Sequence, residues 1–297
     1  SPRKKPKKWK NILRKFLQSL NMKPPKLKTR IIPLLLLRDG LIVKSREFKY
    51  YQTVGNPFNE ASRYSEWNVD ELIYLNISKN KDIYTQNVGS VTSSILSGKK
   101  YTKENKMNMI DFIKYLSNYC FMPLTYGGGI DTVDKAREFL KNGADKISIN
   151  TEAFKNKKII KECAEKFGSQ STVVSIDCKK INNNYKVFIN SGKENTNMDA
   201  AEWILEAQNN GAGEILLNSI DRDGMLNGFD FELCKLSSKI AKVPVIICGG
   251  AGKFNHFVEV SKSCKPHAIA AANIFQFTEN SYQNLKKELK SKNINVR

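Results

Sequence analysis

The apolar positions of this chain fall into short runs at regular intervals, with amphipathic stretches between several of them. Strand-like runs occupy 31–37, 71–77, 122–126, 146–149, 173–177, 214–219, 243–248 and 268–272. Such short, nearly continuous apolar runs predict buried strands. Between them, 132–142, 157–167, 200–210 and 254–263 carry apolar residues at helical spacing. Eight strands with interleaved helices predict an α/β fold of the closed (β/α)8 TIM-barrel type. An open doubly wound sheet usually has fewer strands.

An internal repeat divides the barrel into halves. Tyr-Gly-Gly-Gly-Ile at 126–130 is followed by Asn150, 23 residues after Gly127, and Cys-Gly-Gly-Ala-Gly at 248–252 by Asn273, 24 residues after Gly249. Glu-Leu-Ile-Tyr-Leu-Asn at 71–76 echoes Glu-Ile-Leu-Leu-Asn at 214–218, and Leu35-Leu36 echoes Ile176-Asp177. The two halves differ in one length: 51 residues separate Asn76 from Gly127, but only 31 separate Asn218 from Gly249. The first half therefore holds an insertion of about twenty residues within 78–107. Its position predicts a loop on the C-terminal face of the strands, where barrel active sites lie. A lid or specificity element and a tolerated surface insertion are both open readings.

Charge adds a second segment. The chain of 297 residues has a net charge of +20, and residues 1–30 hold twelve Lys or Arg and no acid, so the other 267 residues carry the remaining +8. Trp9, Ile12, Leu13, Phe16, Leu17 and Leu20 lie on one helical face, which predicts a basic amphipathic extension at 1–27 ahead of a barrel at 28–297. Such a helix suits contact with an anionic membrane, a partner's groove or its own domain. No nucleic-acid-binding signature or interleaved aromatic pattern accompanies it. No apolar run approaches the roughly 18 residues of a membrane span. Six cysteines without a Cys-x-x-Cys pair, and only two histidines, argue against disulfide scaffolds and zinc sites and for a cytoplasmic protein.

The glycine clusters at 127–129 and 249–252 follow strands directly, where backbone N–H groups can point at an anion. One cluster per half suits a ligand with a phosphate at each end. Acid–base chemistry needs a carboxylate at the same strand ends, and Asp177, at the end of the fifth strand, is the first candidate. Asp221 and Asp223 follow the sixth. The position that corresponds to Asp177 in the other half is Leu36, which can neither donate nor accept a proton.

Arg30-Ile-Ile-Pro, Asp39-Gly40, Val43-Lys44, Gly-Gly-Gly-Ile, the string Gly-Ala-Asp-Lys-Ile-Ser-Ile-Asn-Thr at 143–151, Ser-Ile-Asp-Arg-Asp-Gly at 219–224 and Gly-Gly-Ala-Gly occur in this order. Together they resemble HisF, the cyclase subunit family of imidazole glycerol phosphate synthase. The resemblance runs from about residue 28 to the last residue and breaks at the insertion. It implies a barrel that forms a heterodimer with a glutaminase subunit of the HisH type. Ammonia from that subunit cleaves and closes a bisphosphorylated ribonucleotide, giving imidazole glycerol phosphate and an aminoimidazole carboxamide ribonucleotide. It implies no organic cofactor and no metal.

By position, the resemblance makes Lys44, Gly128, Gly129, Asn150, Thr151, Asp223, Gly224, Gly249, Gly250, Ala272 and Asn273 the contacts of a phosphorylated ligand. Arg30, Glu71, Lys146 and Glu214 would ring the ammonia entrance at the barrel bottom, and Asp145 would contact the glutaminase. Of the family's two acid–base aspartates, the second is Asp177 and the first is Leu36; another family aspartate, at the end of strand two, is Asn76. The entrance is kept while the carboxylates are thinned. This split resembles a HisF-like branch that hands ammonia to a separate N-acetyl sugar amidotransferase of surface-polysaccharide (lipopolysaccharide) assembly. A histidine-synthesis cyclase in which Asp39 replaces the absent acid, and a non-catalytic scaffold that activates a glutaminase, are the alternatives.

Overall fold

The computed structural model describes residues 28–87, 104–276 and 279–297. The extension expected at 1–27 and the tip of the insertion lie outside the described residues. Eight parallel strands close into a barrel: β1 Arg30–Arg38, β2 Leu72–Asn76, β3 Leu124–Gly127, β4 Lys146–Ile149, β5 Thr172–Ile181, β6 Glu214–Ser219, β7 Val245–Cys248 and β8 Ala268–Ala271. Each pairs with the next, and β8 pairs with β1 through Arg30↔Ala268 to Pro33↔Ala271. Each strand is followed by a helix on the outside: α1 Pro57–Glu66, α2 Met109–Ser117, α3 Val133–Lys141, α4 Lys158–Phe167, α5 Ala200–Asn209, α6 Phe231–Ile240, α7 Phe254–Cys264 and α8 Ser281–Ser291.

The strands read as continuous apolar runs because each has two buried faces. In β1, Ile31, Leu35 and Leu37 join the shell between strands and helices, while Ile32, Leu34 and Leu36 point into the barrel. The interior core is completed by Ile73, Val173, Leu216 and Ile246, with Ala268 and Ala270 of β8, so five other barrel strands contribute. Helix starts are set by local chemistry: Asn56 caps α1 ahead of Pro57, and Asn108, Thr132 and Asp230 accept from the first turns of α2, α3 and α6. At the bottom, the Tyr282 hydroxyl donates to Ile31 O (3.0 Å) and accepts from Asp70 N–H (2.9 Å), which ties α8 to the first strand.

The two halves repeat in three dimensions. Both β1 and β5 run on into antiparallel arms, Leu41–Arg46 with Tyr50–Gly55 in one half and Asn184–Ile189 with Glu194–Asp199 in the other. The register at the strand ends differs by one residue: Asp177 pairs with Asn218 of β6, whereas Asn76 of β2 pairs with Leu37 and Leu36 pairs with Leu75. The insertion, expected from its position to be a loop on the C-terminal face, has regular structure where it is described. Its described residues form an antiparallel hairpin, Ile83–Asn87 against Glu104–Asn108, rooted at the top of β2.

Candidate active site

The ends of the barrel carry different chemistry. At the N-terminal end of the strands, Arg30, Glu71, Lys146 and Glu214 stand on β1, immediately before β2, on β4 and on β6. They close into one alternating ring. Arg30 donates to Glu71 at 2.7 Å and to Glu214, while Lys146 reaches Glu71 at 3.0 Å and Glu214 at 2.8 Å. Each carboxylate thus spends one oxygen on each cation. Burial alone would pull the Arg30 guanidinium down, but hydrogen bonds and charge from Glu214 and Glu71 outweigh it and raise its pKa. Burial pushes Glu214 up, and Arg30 with Lys146 more than reverses this, so its pKa falls. Two cations and two anions leave the ring without net charge, which a largely buried cluster requires. On the same lower face, Asp145 is exposed and accepts from Leu124 N–H (2.8 Å), close in sequence to Phe121, whose side chain is also exposed.

At the C-terminal end, a cavity opens over the apolar interior. Gly128, Asn150, Thr151, Asp177, Asp223, Gly224, Gly249, Gly250, Ala272 and Asn273 line it together. Lys44 lies in an adjoining recess that shares Ser45, Tyr51, Gly224 and Asn273. The glycines are required: at Gly128 (φ +97°) a Cβ would stand 2.1 Å from Asn76 O, and at Gly250 (φ +101°) 2.1 Å from Gly228 O. Such backbones turn amide groups where no side chain intervenes. Ser148 Oγ, Asn218 Oδ1 and Asn273 Oδ1 are buried at this cavity without a hydrogen-bond partner among the described residues. Unpaired buried polar atoms of this kind mark a place where a polar ligand can complete them.

Asp177 is the acid at the cavity floor. It is 7% exposed, and its carboxylate accepts from Asn150 Nδ2 at 2.7 Å and from Asn218 Nδ2 at 3.4 Å. Burial raises its pKa to about 6; the two amides and Lys81 hold it from rising further, and Asp223 pushes it up. A carboxyl in that range is populated in both forms near neutral pH. Leu36 lines the same cavity with its methyl groups in the interior core. Asp223 is pinned instead to the first arm: it accepts from Ser45 Oγ at 2.5 Å and Phe48 N–H at 3.3 Å. Above the cavity, Phe48 of the first arm meets Gly192 of the second, where a Cβ would lie 2.8 Å from its ring.

Two candidate acids fall outside this geometry, and Gly129 lies against the Lys81 side chain rather than in the cavity wall. Asp39 cannot stand in for the missing acid: it sits in a turn at φ +49°, its side chain is 63% exposed beside Arg38, and it does not line the cavity. Asp221 accepts from Lys180 N–H at 2.8 Å on the outer rim. The thiols of Cys178 and Cys248 are pushed up by burial, Cys248 to about 12, so neither is a ready nucleophile. Among the described residues, no group of three His, Cys, Asp or Glu is placed to hold a metal ion, and no helix is long and apolar enough to cross a membrane. Lys81, Tyr51, Ser175 and Ser191 also line the cavity. Sequence reasoning passes over them because nothing in their spacing distinguishes them from surface or core positions.

Comparison with known proteins decides the family. A family model described as histidine biosynthesis protein matches residues 95–280. The chain is 42% identical, over 90% of its length and 98% of the relative's, to imidazole glycerol phosphate synthase subunit HisF of Hydrogenobaculum sp. (strain Y04AAS1). The chain belongs to the HisF family. HisF of Streptococcus mutans is 38% identical over 91% of this chain and 100% of its own length, and that of Sulfurisphaera tokodaii 41% over 90% and 98%. These HisF relatives are matched over nearly their whole length and over about nine tenths of this chain.

Proposed function

We propose that this chain is the ammonia-accepting barrel of a glutaminase-coupled synthase, acting in its upper cavity on a small molecule with a phosphate at each end. One observation carries the reading: a closed, neutral charge ring at one end of the barrel and the buried carboxylate of Asp177 between two glycine cradles at the other. The interior between them is apolar, lined by Ile32, Leu34, Ile73, Val173, Leu216 and Ile246. Neutral ammonia can cross such a space when one ion pair of the ring opens, whereas ammonium would be left unsolvated. A HisH-type glutaminase would dock on the lower face around Asp145, giving the heterodimer that the word subunit in the relatives' name suggests.

The relatives' name makes ring closure on the bisphosphorylated ribonucleotide the first reaction to assay. Asp177 would take and return the proton, while Gly128, Gly129, Asn150 and Thr151 hold one phosphate and Gly224, Gly249, Gly250, Ala272, Asn273 and Lys44 the other. Leu36 limits the rate. A missing member of a proton-transferring pair typically forfeits about 10²- to 10⁴-fold, or roughly 3–5 kcal/mol of barrier.

Leu36 favours a second reading, in which ammonia passes on to a separate acceptor enzyme such as an N-acetyl sugar amidotransferase. The relatives named above carry the histidine reaction and lend this reading no support. Complementation of a cyclase-deficient histidine auxotroph separates the two: growth at an ordinary rate sustains ring closure, and failure to grow, with a glutaminase complex still formed, sustains transfer elsewhere.

A further inference from the structure

One charged group in the cavity comes from neither half-barrel. Lys81 belongs to the root of the insertion, yet it lines the cavity together with Asp177 and Leu36. Its backbone is fixed from several sides. Asn76 Nδ2 donates to Lys81 O at 3.2 Å, the next residue's carbonyl, Asp82 O, accepts from Met109 N–H at 2.8 Å, and the Asp82 carboxylate is held by Lys135 at 2.8 Å. The Lys81 Cβ lies against Gly129, at 2.7 Å from where a side chain there would begin. The lysine is therefore held half-buried over the bend after β3, with its chain directed into the cavity.

A lysine placed this way is costly without a partner. Burial pulls its pKa down, and the charge of Asp177 opposes that fall. Among the described residues, its Nζ makes no ion pair or hydrogen bond. We propose that Lys81 is a ligand-contacting residue of the cavity, donating from Nζ to an anionic or carbonyl oxygen of a phosphorylated small molecule that Asp177 also faces. This rests on the reading of the cavity as a phosphorylated-ligand site. It also deepens that reading. Where the resemblance implies a pair of acid–base carboxylates, this cavity sets the Lys81 amine beside Asp177, with Asp223 tied to the first arm, so it favours a ligand with an oxygen-rich, electron-rich centre between its phosphates. The insertion thereby becomes a specificity element.

The test uses the full chain and pyridoxal 5′-phosphate as the probe. Its phosphate suits the glycine cradles, and its aldehyde condenses with a neutral amine, losing water to an imine that borohydride reduces to a stable adduct. Peptide mapping should place the adduct on Lys81 ahead of the exposed lysines, with inorganic phosphate slowing it. Lys81→Arg should lose the label, and Asp177→Asn should speed it, since removing that charge frees the amine of its proton more readily. Label spread over exposed lysines with Lys81 unreacted would overturn the proposal, as would Lys81 labelling that phosphate does not slow. Failure of ring closure or of glutaminase binding would count against the proposed function instead, and would leave the labelling pattern unchanged.

Discussion

Asn150 Nδ2 donates to Asp177 Oδ2 at 2.7 Å, joining the first residue after β4 to the buried acid of β5. Asn150 also begins the turn that presents Thr151, whose hydroxyl accepts from Asn190 N–H of the second arm at 3.0 Å. A phosphate bound at this loop, as proposed, would be one side chain away from the acid. Asn150→Ala should raise the Asp177 pKa above about 6, because a hydrogen bond to the carboxylate is lost. Carboxyl NMR titration would measure the shift.

The buried carboxylate also sets a pH dependence of stability. Its pKa rises from the ordinary 3.8 to about 6 on folding, so folding favours the protonated form. Below about pH 4 the group is neutral in both states; as the pH climbs through 6, the folded state loses up to about 3 kcal/mol. Asp177→Asn removes this titration. Its stability relative to the parent chain should rise between pH 4 and 6 and then level off, which urea unfolding across that range would read directly.

The lower ring should behave as a unit. Arg30→Met leaves Glu71 and Glu214 sharing Lys146 alone, at side-chain exposures of 6% and 5%. Breaking a buried pair this way typically costs about 3–5 kcal/mol. Equilibrium unfolding of Arg30→Met, Lys146→Met and the double variant should give strongly non-additive losses.

At the top of β2, Asn76 Nδ2 donates to Lys81 O at 3.2 Å and to the Tyr126 hydroxyl at 3.3 Å, while its Oδ1 accepts from Ser78 N–H at 3.0 Å. An aspartate here would set a carboxylate oxygen against the Lys81 carbonyl, which cannot donate. Asn76→Asp should loosen the root of the insertion, seen as faster amide exchange and protease cleavage at 78–82, with a stability loss of roughly 1–3 kcal/mol.

How much of this was readable in the sequence follows from which side chains face two buried surfaces. The eight strands stand within a few residues of their expected ends because Ile31 to Leu37 and its counterparts are apolar on both faces. The half-barrel echo is equally physical, since Gly128 and Gly250 each lie against a backbone carbonyl, of Asn76 and of Gly228, that leaves no room for a Cβ. The hairpin of the insertion was not readable: Ile83–Asn87 and Glu104–Asn108 lie in a stretch rich in Lys, Asn, Ser and Thr, and only the fold brings Tyr84 into the core against Phe58 and Phe112. Lys81 escaped for the same reason, as one lysine among many in a polar stretch. Asp39 misled because a three-residue offset from Leu36 says nothing of the positive-φ turn that sends its side chain to solvent.

In the proposed reaction Leu36, and not the cavity around it, would limit ring closure. Purified parent chain and Leu36→Asp should be compared on the bisphosphorylated ribonucleotide with saturating ammonium, so that no glutaminase is needed. Both should bind the substrate, and Leu36→Asp should turn it over about 10²- to 10⁴-fold faster. A parent chain already as fast as the variant, or a folded, substrate-binding variant no faster than the parent, would contradict it.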